Sequence, residues 1–351
     1  MNTGQAAVGG RTRAVAAEAG PRPGSAAEAG RTPAVGAAPA VTAIAGGVGA
    51  ARMLSGIASV VGQGSITAVV NTGDDTVLHG LHVSPDLDTV TYTLAGASNL
   101  ETGWGLAGET WGVMEALAAF DAVAGQSLGW FRLGDKDLAT HLYRTGRLAA
   151  GATLSQVTSD IAKRFGVEAR LLPMSDERVE TRVTLASGEV GFQEYFVGLG
   201  HAVPVKAVRF AGSEAARPAP GVLEAVERAD IVLICPSNPV VSIGPVLAVP
   251  GVAEAVARRR EATVAVSPII AGKALKGPAD RMLAELGYEP SAAGVAEMWA
   301  PYAAAIVVDN ADAGLAPRIE ALGVRCVVAP SVMSGPAEAA KLAEAALGAA
   351  P

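Results

Sequence analysis

Val41-Thr42-Ala43-Ile44-Ala45-Gly46-Gly47-Val48-Gly49-Ala50-Ala51-Arg52 is the stretch on which the fold turns. Five apolar or β-branched residues end at three closely spaced glycines, and an Ala/Leu-rich pattern follows. That order describes a strand, a tight turn and a helix. Glycines at such a turn let the backbone bend sharply and approach a ligand, and the free amides of the new helix favour an anion. The spacing is not the dinucleotide fingerprint, and no Lys-Ser/Thr pair follows to complete a P-loop. Taken alone, the glycines suit a ligand-free strand–helix turn equally well.

Similar short apolar runs recur at Ile66 to Val70, Ile231 to Cys235, Thr263 to Val266, Ile306 to Val308 and Val324 to Val328, with helical patterns between them. Apolar runs of this kind suit strands covered on both faces, and intervening helices imply parallel crossovers. The expected fold is an α/β, doubly wound, mostly parallel Rossmann-like sheet. Two segments break the alternation. Residues from about 95 to 165 carry amphipathic helical stretches, Trp111 to Phe120 and Leu138 to Leu148, and read as a helical insertion. Between about 180 and 210, Val183-Thr184-Leu185, Ser187-Gly188-Glu189 and Gly191-Phe192-Gln193 read as strand, turn and strand, a small β-hairpin region. Residues 1–40 are Ala, Gly, Pro and Arg with hardly a large aliphatic side chain, which predicts a disordered low-complexity extension before one catalytic α/β domain at 41–351.

Composition narrows the function classes. Half of the 351 residues are apolar but only 4% are aromatic, so the core must be built from Ala, Val, Leu and Ile. No apolar run approaches the roughly 18 residues of a membrane helix, and the expected location is cytoplasmic. A formal charge of −7 argues against general nucleic-acid binding, though a few placed amides, lysines and a metal can still hold a phosphorylated ligand. Two cysteines, Cys235 and Cys326, are too few for a disulfide scaffold and read as buried thiols.

The densest chemical signal follows the second strand. Asn71-Thr72-Gly73-Asp74-Asp75 and Ser84-Pro85-Asp86-Leu87-Asp88-Thr89 place four carboxylates within 15 residues, beside the glycine loop. Ligands of open α/β sheets bind at the carboxyl ends of strands. Like charges about 4 Å apart repel by roughly 4 kcal/mol at an effective dielectric near 20. A hard dication removes that conflict, and Mg²⁺ typically takes one or two carboxylates together with phosphate oxygens. Solvated turn aspartates and helix caps explain one or two of these residues, but poorly explain all four. His79 and His82 lie between them without the ligand set zinc prefers.

Three later blocks offer further groups. Leu133-Gly134-Asp135-Lys136-Asp137-Leu138-Ala139-Thr140-His141 opens a helix, where Asp135 or Asp137 suits an N-cap and Lys136 or His141 suits an acceptor contact. Cys235-Pro236-Ser237-Asn238-Pro239 is stiffened by two prolines around two hydrogen-bonding side chains, as a preorganised ligand loop requires. Ser267 to Pro278 carries Lys273 and Lys276 on a Gly/Pro-bounded loop, where each offers a point charge to phosphate.

In this order, these blocks resemble the 2-phospho-L-lactate transferase family of coenzyme F-420 biosynthesis. The matching residues are Gly46-Gly47-Val48-Gly49, Asn71 to Asp75, Pro85 to Thr89, Leu133 to Asp137 with Ala139-Thr140-His141, Leu172 to Asp176, Pro236 to Pro239 and Ser267 to Ile270. The resemblance implies that the terminal ribityl hydroxyl of a deazaflavin attacks the phosphorus carrying a small acid, 2-phospholactate or phosphoenolpyruvate, and that GMP leaves. It implies Mg²⁺ and a homodimer. Gly46, Gly47, Gly49, Asn71, Ser237, Asn238, Pro239 and Lys273 would hold the guanylyl donor. Asp74, Asp75 and Asp88 would hold the metal and carry the chemistry, while Asp88, Lys136 and His141 would meet the deazaflavin. One departure stands out: Lys136 occupies a position where the family commonly has Arg, and a point charge does not replace a planar fork.

Two rivals share parts of the pattern. A non-enzymatic sister group of gluconeogenesis-factor type binds sugar nucleotides and resembles the glycine loop and the Asp74-Asp75 stretch. It tends to continue with a Gly-Gly-Ser-Ser-Gly run, which Thr76-Val77-Leu78-His79-Gly80 does not match. A nicotinamide-dependent oxidoreductase would want an acid after the second strand, where this chain has Asn71.

Overall fold

The computed structural model describes residues 38–99, 103–125 and 127–350. The extension expected at 1–40 therefore lies outside the described residues up to position 37. The central sheet is built from β1 (Val41–Ala45), β2 (Ile66–Val70) and five later strands. Between them run two short strands, β3 (Thr76–Leu78) and β4 (Leu81–Val83), before the chain reaches β5 (Arg170–Pro173). A three-stranded antiparallel sheet follows, from β6 (Glu180–Leu185), β7 (Gly188–Gly191) and β8 (Ala207–Ala211), in the order β7-β6-β8. The main sheet resumes with β9 (Ile231–Ile234) and β10 (Thr263–Val266), passes a two-residue hairpin pair, β11 (Ile269–Ile270) and β12 (Lys273–Ala274), and ends with β13 (Ala305–Val308) and β14 (Arg325–Val328).

The seven-stranded order is β14-β13-β10-β9-β1-β2-β5, and every pair is parallel. From β1 the chain first winds one way to β2 and β5, then returns to lay β9 on the other side of β1. The switch point therefore falls between β1 and β9, where Ile44 pairs with Ile234. The side chains show the double winding directly. Ala43, Ala45, Ala68, Val70, Leu233 and Val266 belong to one buried cluster, and Ile44, Val69, Val232, Ile234 and Ala265 belong to the other. Strand residues two apart share a face, so a run apolar at every position feeds both cores.

The helices divide between those faces. On the first pack α1 (Gly47–Val61), α2 (Pro85–Leu94) and the C-terminal helix Pro336–Gly348. The second face is covered by helices that include Val222–Arg228, Val252–Arg258 and Ala292–Trp299. Between α2 and β5 lies the helical insertion, with α3 (Gly112–Ala118), α4 (Asp121–Ala124), α5 (Asp135–Ala149) and α6 (Leu154–Arg164). No single described helix is long and apolar enough to cross a membrane. The pair Pro239–Leu247 and Val252–Arg258 passes on composition, but is bent by 93° and lends Val246, Val252 and Val256 to the core.

The sheet and its insertions fall where the sequence put them, with three differences. β5 supplies an edge strand that its short Leu171-Leu172 apolar pair did not announce. In the small sheet the return strand begins at Gly188, so Phe192 and Gln193 lie beyond it, and β8 adds a third strand. Between Asp75 and Ser84 the chain makes a hairpin whose tip, His79 and Gly80, takes left-handed φ values of 52° and 79°. Two such residues in succession favour a tight hairpin turn, so His79 is there for backbone geometry.

Candidate active site

The carboxyl ends of β1, β2 and β9 converge on the switch point. At the β1 end, Gly46 leads into α1, and Gly47 has φ 73°. Side chains are excluded here by close approach: a Cβ on Gly49 would stand 2.3 Å from the Pro236 carbonyl oxygen, and one on Gly46 would stand 2.9 Å from Ser242 Cβ. The loop after β9 is latched to the glycine loop by Ser237, whose Oγ donates to the Gly46 carbonyl at 2.7 Å. Asn238 is occupied as a cap, its Oδ1 accepting from the Val240 amide at 2.9 Å, and Pro239 is buried. Ser237, Asn238 and Pro239 thus shape the cleft wall, each with its polar group or ring already engaged in the protein.

Asn71 organises the acids. Its backbone continues the sheet, its amide donating to the Ala45 carbonyl at 2.8 Å. The side-chain Nδ2 donates to Asp74 Oδ1 at 3.0 Å and to Asp86 Oδ2 at 2.9 Å, while Oδ1 accepts from the Gly73 amide at 2.7 Å. Both Asn71 donors are spent on carboxylates. Asp86, in the first turn of α2, reaches the glycine loop: its Oδ2 stands 3.0 Å from where a Gly46 Cβ would be, and it accepts from the Gly47 backbone. Asp86 is one of the four acids visible in the sequence, where nothing assigns it a role. Its position two residues before Asp88, at the start of a helix that packs on α1, was the available signal.

The acids are largely withdrawn from water. Burial pushes Asp74 well above the usual carboxylate range, reinforced by Asp86 and Asp75. Burial likewise raises Asp75 to about 8, against the opposing hydrogen bond from Ser84, and Asp86 to about 6, against Asn71. Asp74 has both oxygens engaged, with Asn71 and, at 3.2 Å, with Gln193 Nε2. Among the described residues, two buried carboxylate oxygens have no hydrogen-bond partner, Asp75 Oδ1 and Asp88 Oδ2. Buried polar atoms are rarely left so, and hard carboxylate oxygens are what Mg²⁺ takes. These two oxygens fit such an ion, although Asp74, Asp75 and Asp88 do not all offer ligand atoms within 4.8 Å of one another.

Asp88 also belongs to a second, sealed network that the sequence reading missed. Its Oδ1 pairs with Arg144 of α5, a side chain only 2% exposed. Arg144 Nη1 stands 3.1 Å from His141 Nδ1 and also donates to the His82 carbonyl at 3.3 Å. Arginine has no acceptor, so His141 Nδ1 accepts and the ring proton sits on Nε2. That nitrogen stands 3.3 Å from Asp137 Oδ2 without hydrogen-bond alignment, while Tyr92 Oη donates to Asp137 Oδ1 at 2.7 Å. Burial opposes the Asp137 charge, but the His141 ring and Tyr92 outweigh it and hold its pKa below the usual value. Asp88, Asp137 and His141 have ligand-type atoms within 4.8 Å of one another. The guanidinium already lodged beside Asp88 makes this set an ion-pair network.

Several residues picked from the sequence stand elsewhere than expected. Lys136 is exposed, with Nζ donating to the Ala107 carbonyl at 3.1 Å, and His141 is sealed at 1% exposure, so the two do not share one acceptor surface. Neither Asp135 nor Asp137 caps its own helix. Glu109 does so, taking the Lys136 and Asp137 amides at 2.7 and 2.9 Å, while Asp135 receives the Gly112 amide at the start of α3. Lys273 is 82% exposed and pairs with Asp280 at 3.3 Å. Lys276 is the lysine beside the glycine loop: its Nζ and Val48 Cγ1 lie 3.2 and 3.7 Å from where a Gly103 Cβ would be.

Comparison with known proteins identifies the family. The profile described as "2-phospho-L-lactate transferase CofD" matches residues 41–321. Among curated proteins, the "Phosphoenolpyruvate transferase" of Kitasatospora aureofaciens is 47% identical over 88% of this chain and 96% of its own length. The like-named protein of Streptomyces coelicolor is 46% identical over 88% of this chain and 97% of its own, and that of Mycolicibacterium smegmatis is 42% identical over 88% and 97%. Among solved structures, a UPF0052-family protein of Bacillus halodurans superimposes with a TM-score of 0.54 at 20% identity, covering 89% of this chain and 99% of that one, a likeness of fold. The chain is a transferase that belongs to the 2-phospho-L-lactate transferase (CofD) family of coenzyme F-420 biosynthesis.

Proposed function

We propose that this enzyme moves an enolpyruvyl-phosphate group from a guanylyl donor onto the terminal ribityl hydroxyl of 7,8-didemethyl-8-hydroxy-5-deazariboflavin. The hydroxyl oxygen bonds to the phosphorus bearing the small acid, the bond from that phosphorus to the bridging oxygen breaks, and GMP departs with that oxygen. The relatives named phosphoenolpyruvate transferase favour that acid over phospholactate, the other donor acid of the family.

One observation carries the reading: four aspartates gather at the switch point beside a glycine loop, two of them with buried, unpartnered oxygens. The glycine loop and the N-terminus of α1 suit the donor's phosphates, with Lys276 alongside. Asp75 and Asp88, helped by Asp74, would hold Mg²⁺, which when bound neutralises charge on the transferring phosphoryl and leaving group. Asp88 would orient the attacking hydroxyl and take its proton through Oδ2 if Asp75 and Asp74 carry the metal, because Arg144 holds its other oxygen. Asn71 sets Asp74 and Asp86 at fixed distances, so the chain's own groups need little rearrangement. We further propose that the enzyme works in the cytoplasm as a homodimer, as the family resemblance implies.

Mass spectrometry of the product formed from deazaflavin with each guanylyl donor tests this reading. A mass gain matching phosphoenolpyruvate, with GMP released, supports it. A gain matching phospholactate alone reassigns the acid, and no product from either donor overturns the function.

A further inference from the structure

The first turn of α5 gives most of its polar groups to one neighbour, the glycine-rich stretch from Gly103 to Gly112. Glu109 of that stretch accepts from the Lys136 and Asp137 amides at 2.7 and 2.9 Å. In return, Asp135 accepts from the Thr110 hydroxyl at 2.5 Å and from the Gly112 and Val113 amides at 3.0 and 3.1 Å. Lys136 Nζ donates to the Ala107 carbonyl at 3.1 Å. Gly134 leaves the room this requires, since a Cβ there would stand 2.1 Å from Glu109 Cδ. Its φ of −71° is open to any residue, so space is what demands the glycine.

The other end of the stretch reaches the donor side of the cleft. A Cβ on Gly103 would lie 3.2 Å from Lys276 Nζ and 3.7 Å from Cγ1 of Val48, in the glycine loop. Gly103 and Gly105 have φ values of 77° and 71°, a path that other residues rarely take. The stretch is a strap, clasped by α5 at one end and set against Val48 and Lys276 at the other. We infer that Glu109, Asp135 and Lys136 are positioning residues for the guanylyl donor. They hold the strap as the wall that closes the glycine loop and Lys276 around the donor's phosphates. The inference rests on the transferase reading above. A wall fixed beforehand removes the ordering cost that binding otherwise meets. The clasp also accounts for Lys136: one carbonyl needs one donor, which an ammonium supplies without the planar fork of Arg.

Calorimetric titration of GDP with Mg²⁺ on the wild-type protein, Glu109→Ala, Asp135→Ala, Lys136→Met and Lys136→Arg tests this. Loss of either acid should weaken GDP binding about five- to tenfold, and Lys136→Arg should stay within about twofold of wild type. KM for the guanylyl donor should rise by the same factor, with kcat changed less than about threefold. Trp104 reports on the strap directly, being 41% exposed and edge-on to Trp111 with centroids 6.3 Å apart. GDP should reduce acrylamide quenching of the tryptophan fluorescence, and Trp104→Phe should remove that change. Thermal melts confirm folding. Lys136→Met, which removes one exposed bond, carries the test where an alanine variant fails to fold, and should weaken GDP at least about threefold. GDP affinity within about twofold of wild type in every folded removal variant overturns the inference, as does quenching that GDP leaves unchanged. A wild-type protein that binds no GDP overturns the donor reading itself, and this inference falls with it.

Discussion

Asp88 and Arg144, 56 positions apart on α2 and α5, form an ion pair whose side chains are only 7% and 2% exposed. The pair ties the helical insertion to the acids of the switch point. Removing one partner of a buried pair leaves an uncompensated charge, which typically costs about 3–5 kcal/mol. Arg144→Met is therefore expected to lose about that much stability in denaturant unfolding. Arg144→Lys should recover only part of it, because one ammonium cannot serve Asp88, His141 and the His82 carbonyl together. The double variant Arg144→Met with Asp88→Leu should be more stable than Arg144→Met alone.

Gly49 faces the Pro236 carbonyl so closely that a Cβ has no room. Gly49→Ala must push α1 away from the loop that Ser237 latches to Gly46. Overpacking of this kind costs about 1–3 kcal/mol. The displacement should also weaken GDP binding about tenfold or more by calorimetry, because the donor's phosphates depend on that loop. Substitution at Gly64, where nothing lies within 4 Å of the added atom, is the matched control and should change GDP affinity little.

Asp75 and Asp86 make a pH prediction of unusual sign. Their pKa values rise on folding, to about 8 and about 6. Above the ordinary carboxylate value, the metal-free folded protein therefore holds protons that the unfolded chain has released. Stability then falls as pH rises, from about 4 up to about 8. Metal binding at Asp75 requires its carboxylate deprotonated, so Mg²⁺ should raise the melting temperature more at pH 8.5 than at pH 5.5. Thermal melts with and without Mg²⁺ across that range check it. Equal shifts at both pH values would rule out aspartate ligation.

The sheet was legible because its central strands are apolar or β-branched at every position, a pattern that buried parallel strands require and half-exposed ones do not. β5 escaped notice because the apolar part of Arg170-Leu171-Leu172-Pro173 is only two residues long. At the site, the types of residue were readable but their partners were not. Asn71 reads as a ligand contact until the structure shows both donors turned onto Asp74 and Asp86. Lys136 drew attention as a departure from the family pattern, yet three residues past His141 the buried Arg144 holds Asp88. An arginine on an amphipathic helix looks solvated in sequence, and only the packing of α5 against α2 reveals its charge partner.

The central claim is that the aspartates and an anionic donor share this cleft through a dication. Calorimetric titration of GDP in Mg²⁺, and again in excess EDTA, measures it most directly. The account predicts that chelation weakens GDP binding at least about tenfold, which is about 1.4 kcal/mol, and that Asp75→Asn reduces the dependence on Mg²⁺. Equal GDP affinity in Mg²⁺ and in EDTA would contradict it.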